Sequence, residues 1–195
     1  MTPRQSFSSH PRIRDAAALG FTSSLGPFAA NGIMPGFHAM AEDFGVSFVA
    51  VQQSLTIYLF TYAFFSLVAG SFSDSYGRRP TFIGGMLLFA AASIGAAFSQ
   101  SLWALYGWRL LQGSGAAVGQ VVTQAIVRDN WSGPEAANVN GMIAFFFAAG
   151  PALAPVVGGQ IVMLFGWHAV FLFLLVYSLS IAAFIYYRIP ETVSY

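Results

Sequence analysis

The run GSFSDSYGRRP, from Gly70 to Pro80, sets one aspartate close to two arginines between two long apolar stretches. Charge is scarce elsewhere: charged residues make up 8% of the 195-residue chain, whereas an ordinary soluble domain has about 25%. Hydrophobic residues make up 56%, and phenylalanine alone occurs 20 times. So few charges cannot cover the surface of a soluble fold of this size. The composition therefore predicts a protein that lies in the lipid bilayer.

Six stretches of the chain are apolar over about the 20 residues that a helix needs to cross the hydrocarbon core. Polar or turn-forming residues separate them, so we predict an all-α membrane protein with a six-helix transmembrane bundle over residues 16–188. The polar residues 1–15 are expected to form a cytoplasmic tail, and residues 189–195 a cytoplasmic end. The six predicted spans are 16–40, 48–70, 81–99, 102–127, 137–164 and 168–187.

The arginines predict the orientation of the bundle. Seven of the eight flank the spans on one side, and the loops on the other side contain none. By the positive-inside rule that side is cytoplasmic, so we expect both termini in the cytoplasm. The eighth, Arg109, lies inside the fourth span, where a charged side chain indicates a functional residue. The seven flanking arginines are Arg4, Arg12, Arg14, Arg78, Arg79, Arg128 and Arg188.

The composition disfavours several classes of function. The chain has no cysteine, so disulfides and thiolate metal sites are excluded. Its net charge of +1 lacks the excess of positive charge that is typical of a nucleic-acid-binding protein. Ser114 lies in a span, but no buried histidine or acid lies in a span to activate it, so we expect no enzyme. We likewise expect no cofactor.

Taken alone, the Gly70–Pro80 run is consistent with a tight turn anchored by its arginines. A glycine at its start would let two helices approach closely, and the aspartate, second glycine and proline are typical of a turn and a helix start. The whole run also resembles the G-x-x-x-D-x-x-G-R-[RK]-P signature of the major facilitator superfamily. The matching residues are Gly70, Asp74, Gly77, Arg78, Arg79 and Pro80.

Two further stretches resemble motifs of the same family. WRLLQGSGAA in the fourth span is similar to the R-x-x-Q-G-x-G-A-A pattern through Arg109, Gln112 and Gly113. The fifth span is similar to a glycine-rich antiporter signature, with Ala154 where the family has glycine. Together these motifs resemble the drug:proton antiporter branch, which includes bicyclomycin- and chloramphenicol-type exporters. The residues on the antiporter pattern are Gly141, Gly150, Pro155, Gly158 and Gly159.

The resemblance implies two inverted three-helix repeats, which form half of a major facilitator fold. It implies a secondary transporter that exports small lipophilic compounds by proton-coupled alternating access, in a bacterial inner membrane. Its partners would be a small-molecule substrate, protons, the bilayer and a complementary six-helix half from the same or a second chain. Arg109 would take part in proton coupling. Gating would involve the six residues of the first signature, together with Gly150, Pro151, Pro155, Gly158 and Gly159.

A polar face on the fourth span suggests a transport path. Such a face either lines a wet cavity or supplies hydrogen bonds between helices. At about 100° per residue, the residues that share this face are Arg109, Gln112, Ala116, Gln120, Thr123 and Gln124. Further path candidates are Ser24 and Asn31 in the first span and Tyr58, Thr61 and Tyr62 in the second, although the two tyrosines are equally consistent with plain packing.

One position departs from the family pattern. Related exporters often carry a carboxylate four residues before the proline of the first helix, but Pro35 places Asn31 there. None of the seven acids lies in the middle of a span, and an arginine stays charged, so the chain has no evident proton carrier. Two alternatives therefore stay open: a non-transporting membrane scaffold and a facilitator-type carrier of another small solute. We also expect the chain to be the N-terminal half of its transporter.

Overall fold

The computed structural model describes residues 13–188, with side chains from 17 to 187. Every regular element in this part of the chain is helical. Most of the predicted tail, residues 1–15, and the predicted end, residues 189–195, lie outside the described residues. The helices are α1 (Ile13–Asn31), α2 (Phe37–Phe44), α3 (Phe48–Tyr76), α4 (Arg78–Ala97), α5 (Leu102–Asn130), α6 (Gly133–Phe165) and α7 (His168–Arg188), with a 3-10 turn at Met34–Gly36.

Four of these helices, α3, α4, α6 and α7, are long and apolar enough to cross a membrane by length and composition. The other two long helices, α1 and α5, fall below that measure. α5 carries two arginines and three glutamines, and α1 carries serine, threonine and asparagine. Both helices therefore depend on their neighbours to shield polar groups, and these polar groups include those of the candidate site.

The first predicted span, residues 16–40, is not one helix, so the prediction is wrong at this point. α1 ends within it, and the 3-10 turn and the short α2 complete the stretch. Pro35 has no amide hydrogen with which to continue the helical ladder. Gly32 and Gly36 flank it and lower the helix propensity on both sides. The regular series of helical backbone hydrogen bonds therefore stops at the end of α1.

The Gly70–Pro80 run is almost entirely helical, so the break predicted between the spans 48–70 and 81–99 is much shorter than expected. α3 and α4 are separated by Gly77 alone. Gly77 has a φ of 94°, a conformation that glycine adopts without a steric penalty. Gly70 is not required for a close helix approach, because an added Cβ would meet only Val121, at 3.9 Å.

By chain order the helices form two trios, first α1, α3 and α4 and then α5, α6 and α7, and the main contacts run between the trios. α3 packs along α5 as α6 packs along α1, and α4 lies beside α7. α4 also packs along α5, the antiparallel pair that their short connection predicts. This arrangement confirms the half major facilitator fold expected from the sequence.

α1 and α6 meet along a line of small residues, which we call the α1–α6 seam. Gly150, Ala154 and Gly158 are buried on one face of α6. At Gly158 the two backbones touch, since an added Cβ would lie 1.9 Å from the carbonyl oxygen of Gly32. Small residues let membrane helices approach this closely and gain packing contacts. The seam therefore joins two helices of this half, while Pro151 lies on the exposed side of α6.

Replacing Gly158 with alanine should destabilise the bundle, because the new methyl group would collide with the backbone of α1. Overpacking of this kind costs about 1–3 kcal/mol. We expect a lower apparent Tm, measured by size-exclusion chromatography of heated samples in detergent. Gly159→Ala is the matched control, since its Cβ would lie 3.8 Å from Pro35, an ordinary contact. Equal losses of Tm in the two variants would contradict the seam.

Candidate functional site

Arg109 lies about two turns inside α5, and its exposed fraction is 0%. Its Nη1 donates to Oε1 of Gln112 at 2.6 Å and to the carbonyl oxygen of Ala29 at 3.2 Å. No carboxylate of the described chain pairs with it. The positively charged guanidinium is therefore stabilised by neutral groups.

The break in the first predicted span supplies one of these neutral groups. Ala29 lies in the last turn of α1, where carbonyl groups have no amide partner further along the helix. The aligned peptide dipoles also place partial negative charge at this end. Arg109 therefore caps the C-terminus of α1. Pro35 helps to maintain this arrangement because it cannot continue the helix.

The ring of Tyr58 supplies a second neutral group. The guanidinium Cζ of Arg109 lies 4.2 Å from the ring centroid, which is within range for a cation–π attraction. The Tyr58 hydroxyl donates to the carbonyl oxygen of Gly26 at 2.9 Å, which fixes the ring. Gly113 lets α3 come this close, because an added Cβ there would lie 2.5 Å from the Tyr58 carbonyl oxygen. The motif glycine thus sets the helix separation that the motif arginine needs.

Gln112 connects Arg109 to α4. Its Oε1 accepts from Arg109, and its Nε2 donates to Oγ of Ser93 at 2.8 Å. Ser93 in turn donates to the carbonyl oxygen of Phe89 at 2.8 Å. Four helices therefore meet in one buried network. We define the Arg109 network as Tyr58, Ser93, Arg109, Gln112 and the carbonyl group of Ala29.

The Arg109 network leaves its central charge incompletely satisfied. Nε and Nη2 of Arg109 have no hydrogen-bond partner within the described part of the chain. A charged side chain at the centre of a membrane helix costs about 2.5–3.5 kcal/mol on insertion scales, and buried donors without partners add to that cost. Such an expense indicates a functional residue rather than a packing residue.

The remaining predicted path residues do not join the network. Oγ of Ser24 lies 2.7 Å from the Tyr177 hydroxyl, which fastens α1 to α7. The amide of Asn31 donates to the carbonyl oxygen of Pro27 at 2.8 Å, so it is used within α1. Thr61 is buried with its hydroxyl on its own helix, and Tyr62, Gln120 and Gln124 are half-buried.

Sequence reasoning missed Ser93 and the carbonyl group of Ala29. Ser93 stands among alanines and glycine in α4, and a lone serine in an apolar helix is a weak signal because its hydroxyl often bonds to its own backbone. A backbone carbonyl has no sequence signature of its own. Only the proline after α1 could have indicated a helix end whose carbonyl groups lack helical hydrogen-bond partners.

A second charged cluster lies at the Gly77 joint. Arg78 forms an ion pair with Asp74, and its Nε donates to Oδ2 of Asp129 at 3.0 Å. Its Nη1 donates to Oγ of Ser73 at 2.6 Å. The guanidinium therefore bridges the ends of α3 and α5 at the start of α4. We call Ser73, Asp74, Arg78 and Asp129 the Arg78 cluster.

Arg79 contacts a different neighbour. Its guanidinium donates to the backbone carbonyl oxygen of Tyr186. The Cζ atom of Arg79 also lies 4.6 Å from the centroid of the Tyr186 ring. Consecutive arginines thus hold α3 and α5 on one side and α7 on the other. Pro80 lies exposed in the first turn of α4, where proline is well tolerated. The predicted gating residues therefore lie on α3 and α4 around this joint and on α6, where Gly150 and Gly158 belong to the α1–α6 seam and Pro151 does not.

A bundle of long apolar helices around a buried charged network defines an integral membrane protein. The chain belongs to the major facilitator superfamily, because residues 19–195 match that family. The family and the fold are those of transporters rather than enzymes.

Relatives with curated names include several drug resistance proteins. A bicyclomycin resistance protein homolog of Haemophilus influenzae is 34% identical over 89% of this chain and 44% of its own length. A chloramphenicol resistance protein of Pseudomonas aeruginosa is 36% identical over 82% of this chain and 38% of its own. Multidrug resistance protein D of Escherichia coli is 32% identical over 87% and 43%, respectively. The chain spans less than half the length of these relatives, whose names agree with the drug:proton antiporter branch.

Solved structures of transporters share the fold. A peptide transporter POT in complex with sulfate superposes with a TM-score of 0.78 at 21% identity, covering 95% of this chain and 39% of that one. A POT family transporter in complex with 5-aminolevulinic acid gives a TM-score of 0.77 at 15% identity, covering 95% and 40%. At these identities the likeness concerns the fold alone.

Replacing Gln112 with leucine should destabilise the bundle, because it removes the acceptor of Arg109 and the donor to Ser93. Buried polar groups that lose their partners cost about 1–3 kcal/mol. The control is Gln120→Leu on the same helix, since Oε1 of Gln120 has no hydrogen-bond partner in the described structure. Thermal unfolding in detergent should show a clear loss of Tm for Gln112→Leu only. A larger loss for Gln120→Leu would contradict the network.

Proposed function

We propose that this chain is the N-terminal half of a proton-coupled exporter of small lipophilic compounds that works by alternating access. The Arg109 network is the observation that carries the proposal. It places a permanent charge inside an apolar bundle, where charged residues serve substrate or ion pathways. Family membership and the names of the relatives support the same function.

The coupling proton needs a group that titrates near neutral pH, and the described helices carry no acid or histidine away from their ends. Every acid of the described helices lies within a turn of a helix end. Arg109 remains protonated at all working pH values. We therefore propose that the proton-binding group lies in the complementary half, outside the Arg109 network and unpaired with Arg109.

The Arg78 cluster is suited to a conformational latch at the predicted cytoplasmic face. Asp74 is largely exposed, with 63% of its side chain accessible, although its partner Arg78 is mostly covered. An exposed ion pair contributes at most about 1 kcal/mol, so it can form and break as helices move. We propose that Asp74 exchanges between Arg78 and the complementary half during the transport cycle.

Transport of chloramphenicol tests the proposed function. The chain, together with the six-helix half that completes its fold, would be reconstituted in proteoliposomes with an imposed pH gradient. We expect flux that depends on the gradient. Flux without such dependence would identify a facilitator-type carrier instead, and the absence of flux in a folded complex would contradict transport.

Replacing Asp74 with asparagine should lower the transport rate several-fold while leaving Tm nearly unchanged. The amide cannot form the ion pair with Arg78, but the exposed pair contributes little to stability. Rates and Tm values would be measured on the same preparations. Glu42→Gln, on the exposed side of α2, is the matched control and should transport normally. A parallel loss of rate and Tm in Asp74→Asn would indicate a structural role instead.

A further inference from the structure

One charge dominates the interior of this half. The other charged residues of the described helices all lie within about one turn of a helix end. Arg109 lies deeper, in α5, and is fully buried. An arginine does not lose its proton in a protein, so the interior carries a fixed positive charge.

The groups that hold Arg109 do not cancel this charge. The carbonyl of Ala29, the amide of Gln112 and the ring of Tyr58 contribute dipoles or a quadrupole, which lower the local energy of the guanidinium. None of them carries a net charge. Unlike an ion pair, the Arg109 network therefore leaves a potential that extends beyond its own contacts.

Asn31 maintains this imbalance. It lies in the last turn of α1, which also presents Ala29 to Arg109. Its Nδ2 donates to the carbonyl oxygen of Pro27 at 2.8 Å, a bond that a carboxylate could not make because it has no donor. The local backbone thus favours a neutral side chain at this position in the last turn of α1.

From this unneutralised charge we infer that the transport site takes neutral or anionic amphiphiles in preference to lipophilic cations. The inference rests on the proposed function, since it concerns the substrate class of the same site. Charges in an apolar bundle are screened far less than in water. A fixed positive charge about 10 Å away changes the affinity of an ion by roughly tenfold or more at an effective dielectric constant near 20. A neutral substrate does not experience this difference.

Two probes of equal shape and opposite charge test the preference: tetraphenylborate and tetraphenylphosphonium, with chloramphenicol as a neutral reference. Binding to the assembled transporter would be measured by isothermal titration calorimetry in non-ionic detergent, after subtraction of detergent blanks. We expect tetraphenylborate to bind at least about tenfold more tightly than tetraphenylphosphonium. Arg109→Gln should reduce this ratio by about the same factor, whereas Arg109→Lys should preserve it. Comparison between variants removes the probes' different affinities for detergent.

A second variant keeps the test decisive if Arg109→Gln does not fold. Asn31→Asp introduces a negative charge in the last turn of α1 and should shift the ratio towards the cation, and the neutral control Asn31→Ser should not. Equal or tighter binding of tetraphenylphosphonium by the wild type, with chloramphenicol also bound, would overturn the charge preference alone. A ratio that neither charge-changing variant moves would overturn it as well. Failure of all three probes to bind would overturn the proposed function, and the preference with it.

Discussion

The burial of one guanidinium without a carboxylate is the constraint on which the arrangement of this half depends. A cation in an apolar bundle needs neighbours that stabilise it, and two of the groups around Arg109 require a specific local departure from regular helix packing. The free carbonyl of Ala29 depends on the end of α1 before Pro35. The ring of Tyr58 depends on the close approach of α3 and α5 at Gly113. The end of α1 and the glycine in α5 therefore both serve to stabilise the buried Arg109.

Close contacts of the same kind join the two trios at two places and have a different consequence at each. Gly113 lets α5 approach the backbone of α3, and Gly158 lets α6 approach the backbone of α1. Lipid gives helices no hydrophobic reason to associate, so close packing of small residues supplies much of the attraction. At Gly113 this close approach places the ring of Tyr58 against the guanidinium of Arg109. At Gly158 it joins two helices that both contain prolines.

Long apolar stretches were enough to predict six helices, because hydrocarbon thickness fixes helix length. The spacing of Arg109 and Gln112 was enough to put them on one face. The end of α1 was not predicted, since a proline in a membrane helix often produces only a kink when neighbours satisfy the freed carbonyls. The contact of Arg109 with Ala29, and its link to Ser93 through Gln112, could not be predicted from the sequence either. They depend on which helices touch, and sequence periodicity describes only one helix at a time.

The distribution of proline separates the helices into two mechanical kinds. α3 and α5 contain none, and each runs unbroken for 29 residues. α5 carries Arg109 near one end and Asp129 near the other, so one rigid element connects the buried network with the Arg78 cluster. α1 and α6 contain internal prolines, each of which removes a backbone hydrogen bond and permits bending. Ala29, whose carbonyl oxygen accepts from Arg109, belongs to α1. Bending of α1 would therefore change the surroundings of the buried charge, while α5 keeps Arg109 itself in place.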